Sequence, residues 1–147
     1  MQGNVKILKQ RLLKRLYNNK EHCTILSIKS FKCSLNGNDF KLYVGAYTTE
    51  IKQLSFNGKS FALTDTIQNV CSSFKPGIST IELNPEYQYL FLGGYDGIIK
   101  IYSMLSKKIE KNLIFHTKGI NQLKFQFNFL FSASNDNTIA IWKVGLM

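Results

Sequence analysis

An all-β fold of short antiparallel strands, entered through one basic amphipathic helix, is what the sequence predicts. Three observations point there. The spacing of apolar residues changes from three-and-four to two near residue 20, Gly, Asn and Asp punctuate the remainder at short intervals, and whole blocks recur at offsets of 40 and 42 residues. The chain has 147 residues, 44% hydrophobic and 19% charged. That is one domain's worth of chain, long enough to bury a core, so disorder, collagen-like repetition and a disulfide-dependent mini-fold are poor descriptions.

The first element is the helix. Val5, Leu8, Leu12 and Leu16 recur at helical spacing, Ile7, Leu13 and Tyr17 widen the stripe, and Asn18-Asn19 supplies a stop. Lys6, Lys9, Arg11, Lys14, Arg15 and Lys20 place six of the nineteen basic residues, and none of the nine acidic ones, in the first 20 positions. The net charge of +10 is therefore largely a property of one end. Three readings stay open for this segment: a helix docked on the protein's body or on a partner with its basic side in water, a nucleic-acid contact through Lys6, Lys9, Arg11, Lys14 and Arg15, or a membrane-surface or organellar targeting segment. Only two Arg and few Ser argue against targeting.

Cys23, Cys33 and Cys71 are odd in number, have no CxxC spacing and adjoin apolar stretches, so they are expected to be reduced structural thiols without a zinc site. No uncharged apolar run approaches the length of a membrane span, and the charged first 20 residues do not resemble a secretory signal. An intracellular protein without membrane contact is the expectation.

The repeats define the strands. Gly77-Ile78-Ser79-Thr80-Ile81-Glu82-Leu83 matches Gly119-Ile120-Asn121-Gln122-Leu123-Lys124-Phe125 at an offset of 42, and Leu92 to Tyr102 matches Ser132 to Trp142 at an offset of 40. The difference falls at Asn84-Pro85-Glu86-Tyr87, where a turn should shorten. Val44 to Leu54 is a weaker copy, 48 residues ahead of the second. Copies about 40 residues apart are the period of a four-stranded propeller blade.

Blade one is expected to comprise Thr24–Ser34, a turn at Asn36-Gly37-Asn38-Asp39, Phe40–Tyr47, Ile51–Phe56, a hairpin turn at Asn57-Gly58, and then an insertion over Ser60–Asn69. Blade two takes strands near 78–84, 89–94, 98–103 and 110–115, with Lys107-Lys108 in an exposed turn. Blade three begins at Ile120 and is expected to lack its fourth strand. The three blades span about residues 23–74, 77–116 and 119–147, after a helical segment over 1–20. Propellers close with four or more blades, so three leave faces open. The chain would then be part of a longer propeller, or be completed by another chain, or be an open relative of a larger ancestor. The uncharged run Phe125–Ser132 is an aggregation hazard unless covered.

The third copy, with His116 ahead of its inner strand, Ser132 in the second strand, Asp136 in the tight turn and Trp142 in the third, resembles a WD-repeat. The resemblance implies that His116, Ser132, Asp136 and Trp142 form a hydrogen-bonded structural tetrad, an arrangement in which every buried polar group has a partner. The second copy keeps Asp96 but has Leu92 and Tyr102 at the Ser and Trp positions and Phe74 or Lys75 near the His position. The first has Thr48 in place of the Asp.

Two longer stretches, Gly94–Tyr102 with Lys107–Glu110 and Leu113–Phe125, and Leu130–Trp142, resemble successive repeats of the WD-repeat family that interacts with PAK-type kinases and assists assembly of the large ribosomal subunit. Tyr43–Tyr47 is similar to the start of that family's first repeat. The resemblance covers roughly residues 40–145. It implies a non-catalytic scaffold for ribosome biogenesis and rRNA processing, in the nucleus or nucleolus. Its partners would be other proteins of a pre-ribosomal particle, with rRNA contact through the basic segment. The alternative it leaves is a general adaptor for signalling proteins such as kinases, in the cytoplasm.

His116, Ser132 and Asp136 are also the three residue types of a hydrolase triad, but no nucleophile-turn motif surrounds Ser132 and the blade accounts for their spacing. Gly93-Gly94 and Asn36-Gly37 lack the Lys-Ser or Lys-Thr of a phosphate loop. His22 has no metal-ligand companion, and the acidic residues are scattered singly. No enzyme activity, cofactor or metal is expected.

Overall fold

A computed structural model of the chain describes residues 24–32 and 39–145. The expected helix over Val5–Tyr17, the basic residues on it, His22, Cys23, Cys33 and the Asn36-Gly37-Asn38 turn lie outside the described residues. Among the described residues there are eleven strands and no helix. They form three antiparallel meanders in chain order: β1 (Ile25–Lys32), β2 (Asp39–Ala46), β3 (Ile51–Asn57) and β4 (Phe61–Ile67); β5 (Ile78–Leu83), β6 (Tyr89–Gly94), β7 (Ile98–Ser103) and β8 (Lys108–Ile114); and β9 (Ile120–Gln126), β10 (Phe129–Ser134) and β11 (Ile139–Lys143). The three meanders stack face to face in the manner of propeller blades, with β1, β5 and β9 adjacent along one side.

The insertion expected over Ser60–Asn69 is instead the fourth strand of the first sheet. β4 pairs with β3 from Phe56↔Phe61 to Ile51↔Ile67, with Thr64 bulged out between Asp65 and Leu63. The bulge breaks the alternation, and an outermost strand is half in water, so neither signal that marks an inner strand is present. The same device recurs in β8, where Glu110 is the extra residue opposite Ile101 and Tyr102. Consequently β8 starts at Lys108, and only Lys107 of the expected Lys107-Lys108 turn adopts a left-handed conformation, at φ 56°.

Turn chemistry accounts for the two-residue difference between the repeats. Asn84 Oδ1 accepts from the N–H groups of Gln88 and Tyr89, both at 2.8 Å, closing a wide turn. The corresponding turn in the third sheet is tighter, with Phe127 and Asn128 both at positive φ, as a two-residue hairpin connection of the mirror-image class requires.

The middle sheet is buried on both sides. Ile81, Leu83, Leu90, Leu92 and Tyr102 face the first sheet, where they meet Tyr43, Ile51 and Ile67, while Phe91, Ile99 and Ile101 face Ile120, Leu123, Phe125 and Leu130 of the third. Alternate residues of each strand thus belong to different interfaces. Close approach of the sheets depends on one position per boundary: a Cβ on Gly45 would lie 2.9 Å from the Ile78 carbonyl oxygen, and one on Gly93 2.8 Å from Ile120 Cγ2. Hydroxyls stitch the same seams. Ser27 donates to the Ile78 carbonyl at 2.9 Å, Ser79 donates to the Ile120 carbonyl, and Thr80 Oγ1 accepts from the Leu123 N–H at 3.2 Å.

Candidate functional site: the blade tetrad and the open end face

The structure brings His116, Ser132, Asp136 and Trp142 together between the β8–β9 connection and β10–β11. His116 Nδ1 lies 3.0 Å from Asp136 Oδ2, His116 Nε2 lies 2.7 Å from Ser132 Oγ, and Trp142 Nε1–H donates to Ser132 Oγ at 2.9 Å. One arrangement of protons gives every group a partner. An indole N–H only donates and a carboxylate only accepts, so Ser132 accepts from Trp142 and Nδ1–H donates to Asp136, and with the serine hydroxyl donating to Nε2 no polar atom of the four is left without a partner.

Asp136 anchors it. Its two oxygens accept from the Thr138 hydroxyl at 2.6 Å and from the Thr117 and Thr138 N–H groups, both at 3.0 Å, as well as from His116. The Thr138 hydroxyl above all, then the Thr117 N–H, His116 and the Thr138 N–H, hold this carboxyl well below the usual carboxylate range, against the opposing effect of desolvation. Asn137, at φ 65°, completes the tight turn, as Gly97 does at φ 80° in the second blade.

Ser132 is not placed as a nucleophile. It is 1% exposed, and its oxygen is occupied on one side by the indole and on the other by the imidazole. A substrate carbonyl has no approach to it; the network ties β10, the turn after it and β11 to the β8–β9 connection.

In the second blade the place of His116 is taken by Cys71, not by Phe74 or Lys75. Thr117 N–H bonds Asp136 in the third blade, and Ser72 N–H bonds Asp96 at 3.0 Å in the second, which sets Cys71 against His116. Phe74 is 95% exposed. The misplacement has a simple origin: the connection from Cys71 to Gly77 is three residues longer than that from His116 to Gly119, so counting back from the glycine lands in the wrong place. Cys71 Sγ accepts from the Gly77 N–H and donates to the Thr48 carbonyl, both at 3.4 Å. Burial pushes its thiol pKa up, with Asp96 adding to the rise. Asp96 receives Lys100 Nζ at 3.1 Å instead of an imidazole.

The second feature is the outward face of the third sheet. The run Phe125–Ser132 divides by parity: Phe125, Leu130 and Ser132 turn toward the second sheet, while Phe129 and Phe131 turn away. With them on the outer side stand Ile139, 75% exposed, and Ile141, 64% exposed. Backbone groups along the far side of β11 have no strand partner among the described residues. The sequence reading flagged the run but not Ile139 and Ile141, whose exposure depends on which sheet they fail to face. Among the described residues no cluster of His, Cys, Asp and Glu could hold a metal ion, and no helix is long and apolar enough to cross a membrane.

Residues 107–143 match the WD40 family, described as WD domain, G-beta repeat. A WD40 repeat is present in this chain. The segment includes the tetrad, β8 and all of the third sheet. Among curated relatives, the ribosome biogenesis protein YTM1 of Candida glabrata is 30% identical over 67 residues, covering 45% of this chain and 14% of YTM1. YTM1 of Kluyveromyces lactis is 39% identical over 56 residues, covering 37% and 12%. The kinesin-like protein KIF21A of Homo sapiens is 26% identical over 102 residues, covering 69% of this chain and 6% of KIF21A. Among solved structures, the WD40 β-propeller domain of Doa1 superposes with a TM-score of 0.65 at 18% identity, covering 84% of this chain and 38% of the Doa1 chain. The chain thus spans well under half the length of each of these proteins, and the structural likeness speaks to the fold.

Proposed function

We propose that this chain is a non-catalytic WD-repeat scaffold in ribosome biogenesis. It docks through its open third-sheet face on proteins of a large-subunit precursor, in the nucleus or nucleolus, while Lys6, Lys9, Arg11, Lys14 and Arg15 contact rRNA phosphates. The observation that carries the reading is the sequence similarity, over 67 and 56 residues, to YTM1, a ribosome biogenesis protein. It agrees with the order of repeats that resembles the PAK-interacting, large-subunit assembly family. A face bearing Phe129, Ile139 and Ile141 in water supplies the apolar surface a protein partner needs, and the basic segment supplies phosphate attraction.

Sedimentation of the tagged chain from cell extract tests this. The expected result is co-migration with large-subunit precursors, sensitive to ribonuclease and to salt, with a shallower salt dependence when the five basic residues are changed to Gln. A chain that stays at the top of the gradient at low salt overturns it. The second reading is a cytoplasmic adaptor, favoured by the longer match to KIF21A. Salt-tolerant capture of a single protein, without RNA, is its signature.

A further inference from the structure

The second strand of each sheet ends in a turn that opens with an equivalent residue. Tyr47 N–H donates to the Thr24 carbonyl at 3.0 Å, Tyr95 N–H to that of Gly77 at 3.1 Å, and Asn135 N–H to that of Gly119 at 3.0 Å. Tyr47, Tyr95 and Asn135 therefore form a row across one end of the stack. The two rings meet with centroids 5.9 Å apart, and neither belongs to the core between the sheets. Tyr47 is 56% exposed. Tyr95 is held in place: a Cβ on Gly77 would lie 2.5 Å from its Cδ2, and one on Gly119 3.0 Å from its Cδ1. The connections that bring in those glycines carry Lys75 and Lys118, both exposed and in no ion pair among the described residues. The carboxylates of the same turns are engaged, Glu50 with Lys52 at 2.7 Å, Asp96 with Lys100 and Asp136 with His116. Exposed rings beside unpaired cations suit a ligand that is both anionic and flat.

We propose that this end of the stack binds single-stranded RNA, with bases stacking on Tyr47 and Tyr95 and phosphates held by Lys75 and Lys118. Stacking on an aromatic ring accepts any base, and lysines add a sequence-independent attraction for the backbone. An acidic peptide would satisfy the lysines and leave the rings unused. The surface is distinct from the outward face of the third sheet and from the basic segment at residues 6–15. It does not depend on the ribosomal reading, whose gradient experiment is decided by those two features.

The test uses the full chain with Lys6, Lys9, Arg11, Lys14 and Arg15 changed to Gln, which removes the other cationic segment. The probe is a single-stranded RNA of about ten nucleotides carrying 4-thiouridine. Irradiation is expected to cross-link it to Tyr47 or Tyr95. Tyr47→Ala is expected to weaken binding about tenfold, while Tyr47→Phe, which keeps the ring, binds like the parent. Lys75→Gln/Lys118→Gln should lower the slope of log affinity against log salt by about 1.4, two phosphate contacts' worth for a single strand. Absence of binding, cross-links confined to other residues, a Tyr47→Ala variant as tight as the parent, a Tyr47→Phe variant as weak as the alanine one, or an unaltered slope overturns the proposal. So does an oligoglutamate of the same charge that competes as well as unlabelled RNA, which would make this a surface for acidic peptides.

Discussion

Lys100 Nζ stands 3.1 Å from Asp96 Oδ2, making in the second blade the contact that His116 Nδ1 makes with Asp136 in the third. Both members of the lysine pair are buried, with side chains 11% and 6% exposed. The Asp96 carboxylate also accepts from the N–H groups of Ser72 and Ile98. Removing the ammonium while keeping the stem leaves a desolvated charge without its counter-ion. Lys100→Met is therefore expected to cost about 3 kcal/mol, and adding Asp96→Asn should recover part of the loss. Urea denaturation of the parent, the single variant and the double variant measures this. A single variant as stable as the parent would mean that the pair is solvated.

The tetrad gives a graded expectation. Trp142→Phe keeps the ring but loses one donor, while Ser132 retains His116, so a loss of about 1 kcal/mol is expected. His116→Ala strips partners from both Ser132 and Asp136 and should cost about 2 to 3 kcal/mol. Thermal melts showing the two equal, or both neutral, would argue that the network does not hold the third sheet.

The pH dependence of that network follows from Asp136. Because its folded carboxyl titrates below the ordinary value, the unfolded chain binds more protons in acid, and stability must fall as the pH falls. The contribution is complete above the ordinary carboxylate value of about 4 and is lost below it. Asp136→Asn should accordingly be less stable than the parent at neutral pH, with the gap narrowing in acid. Denaturation midpoints at several pH values between neutrality and about 3 decide it. A gap that is constant across that range contradicts the assignment.

The parts of the fold legible in the sequence are those where both faces of a strand are buried or a turn needs a particular residue. Ile78–Leu83 and Leu92–Tyr102 could be matched to their counterparts because the interface between the second and third sheets imposes similar residues on both, and Gly93, against which Ile120 packs, repeats Gly45, against which Ile78 packs. β4 was hidden because an outer strand with a bulge at Thr64 obeys neither alternation nor burial. Cys71 was hidden for another reason: a longer connection shifts its position relative to Gly77, and only the shared bond from the following N–H to the turn aspartate reveals the equivalence. The partnership of Lys100 with Asp96 was out of reach too, since Lys100 aligns with Ala140, which has no polar role.

Ile139 and Ile141 separate the fold from its use. Both project from β11 on the side away from the second sheet, so replacing them removes little buried area. Ile139→Lys and Ile141→Lys are each expected to change folding stability by no more than about 0.5 kcal/mol, the range of ordinary surface substitutions. Yet if this face docks a partner, a charge at its centre must be desolvated against an apolar surface without a counter-ion, which is unfavourable by far more than the methyl contacts it replaces. The double variant should therefore melt like the parent while migrating at the top of the gradient where the parent travels with particles. Stable protein with unaltered migration would move the docking surface elsewhere on the stack. A large drop in melting temperature would instead mean that the face is already covered within the free protein.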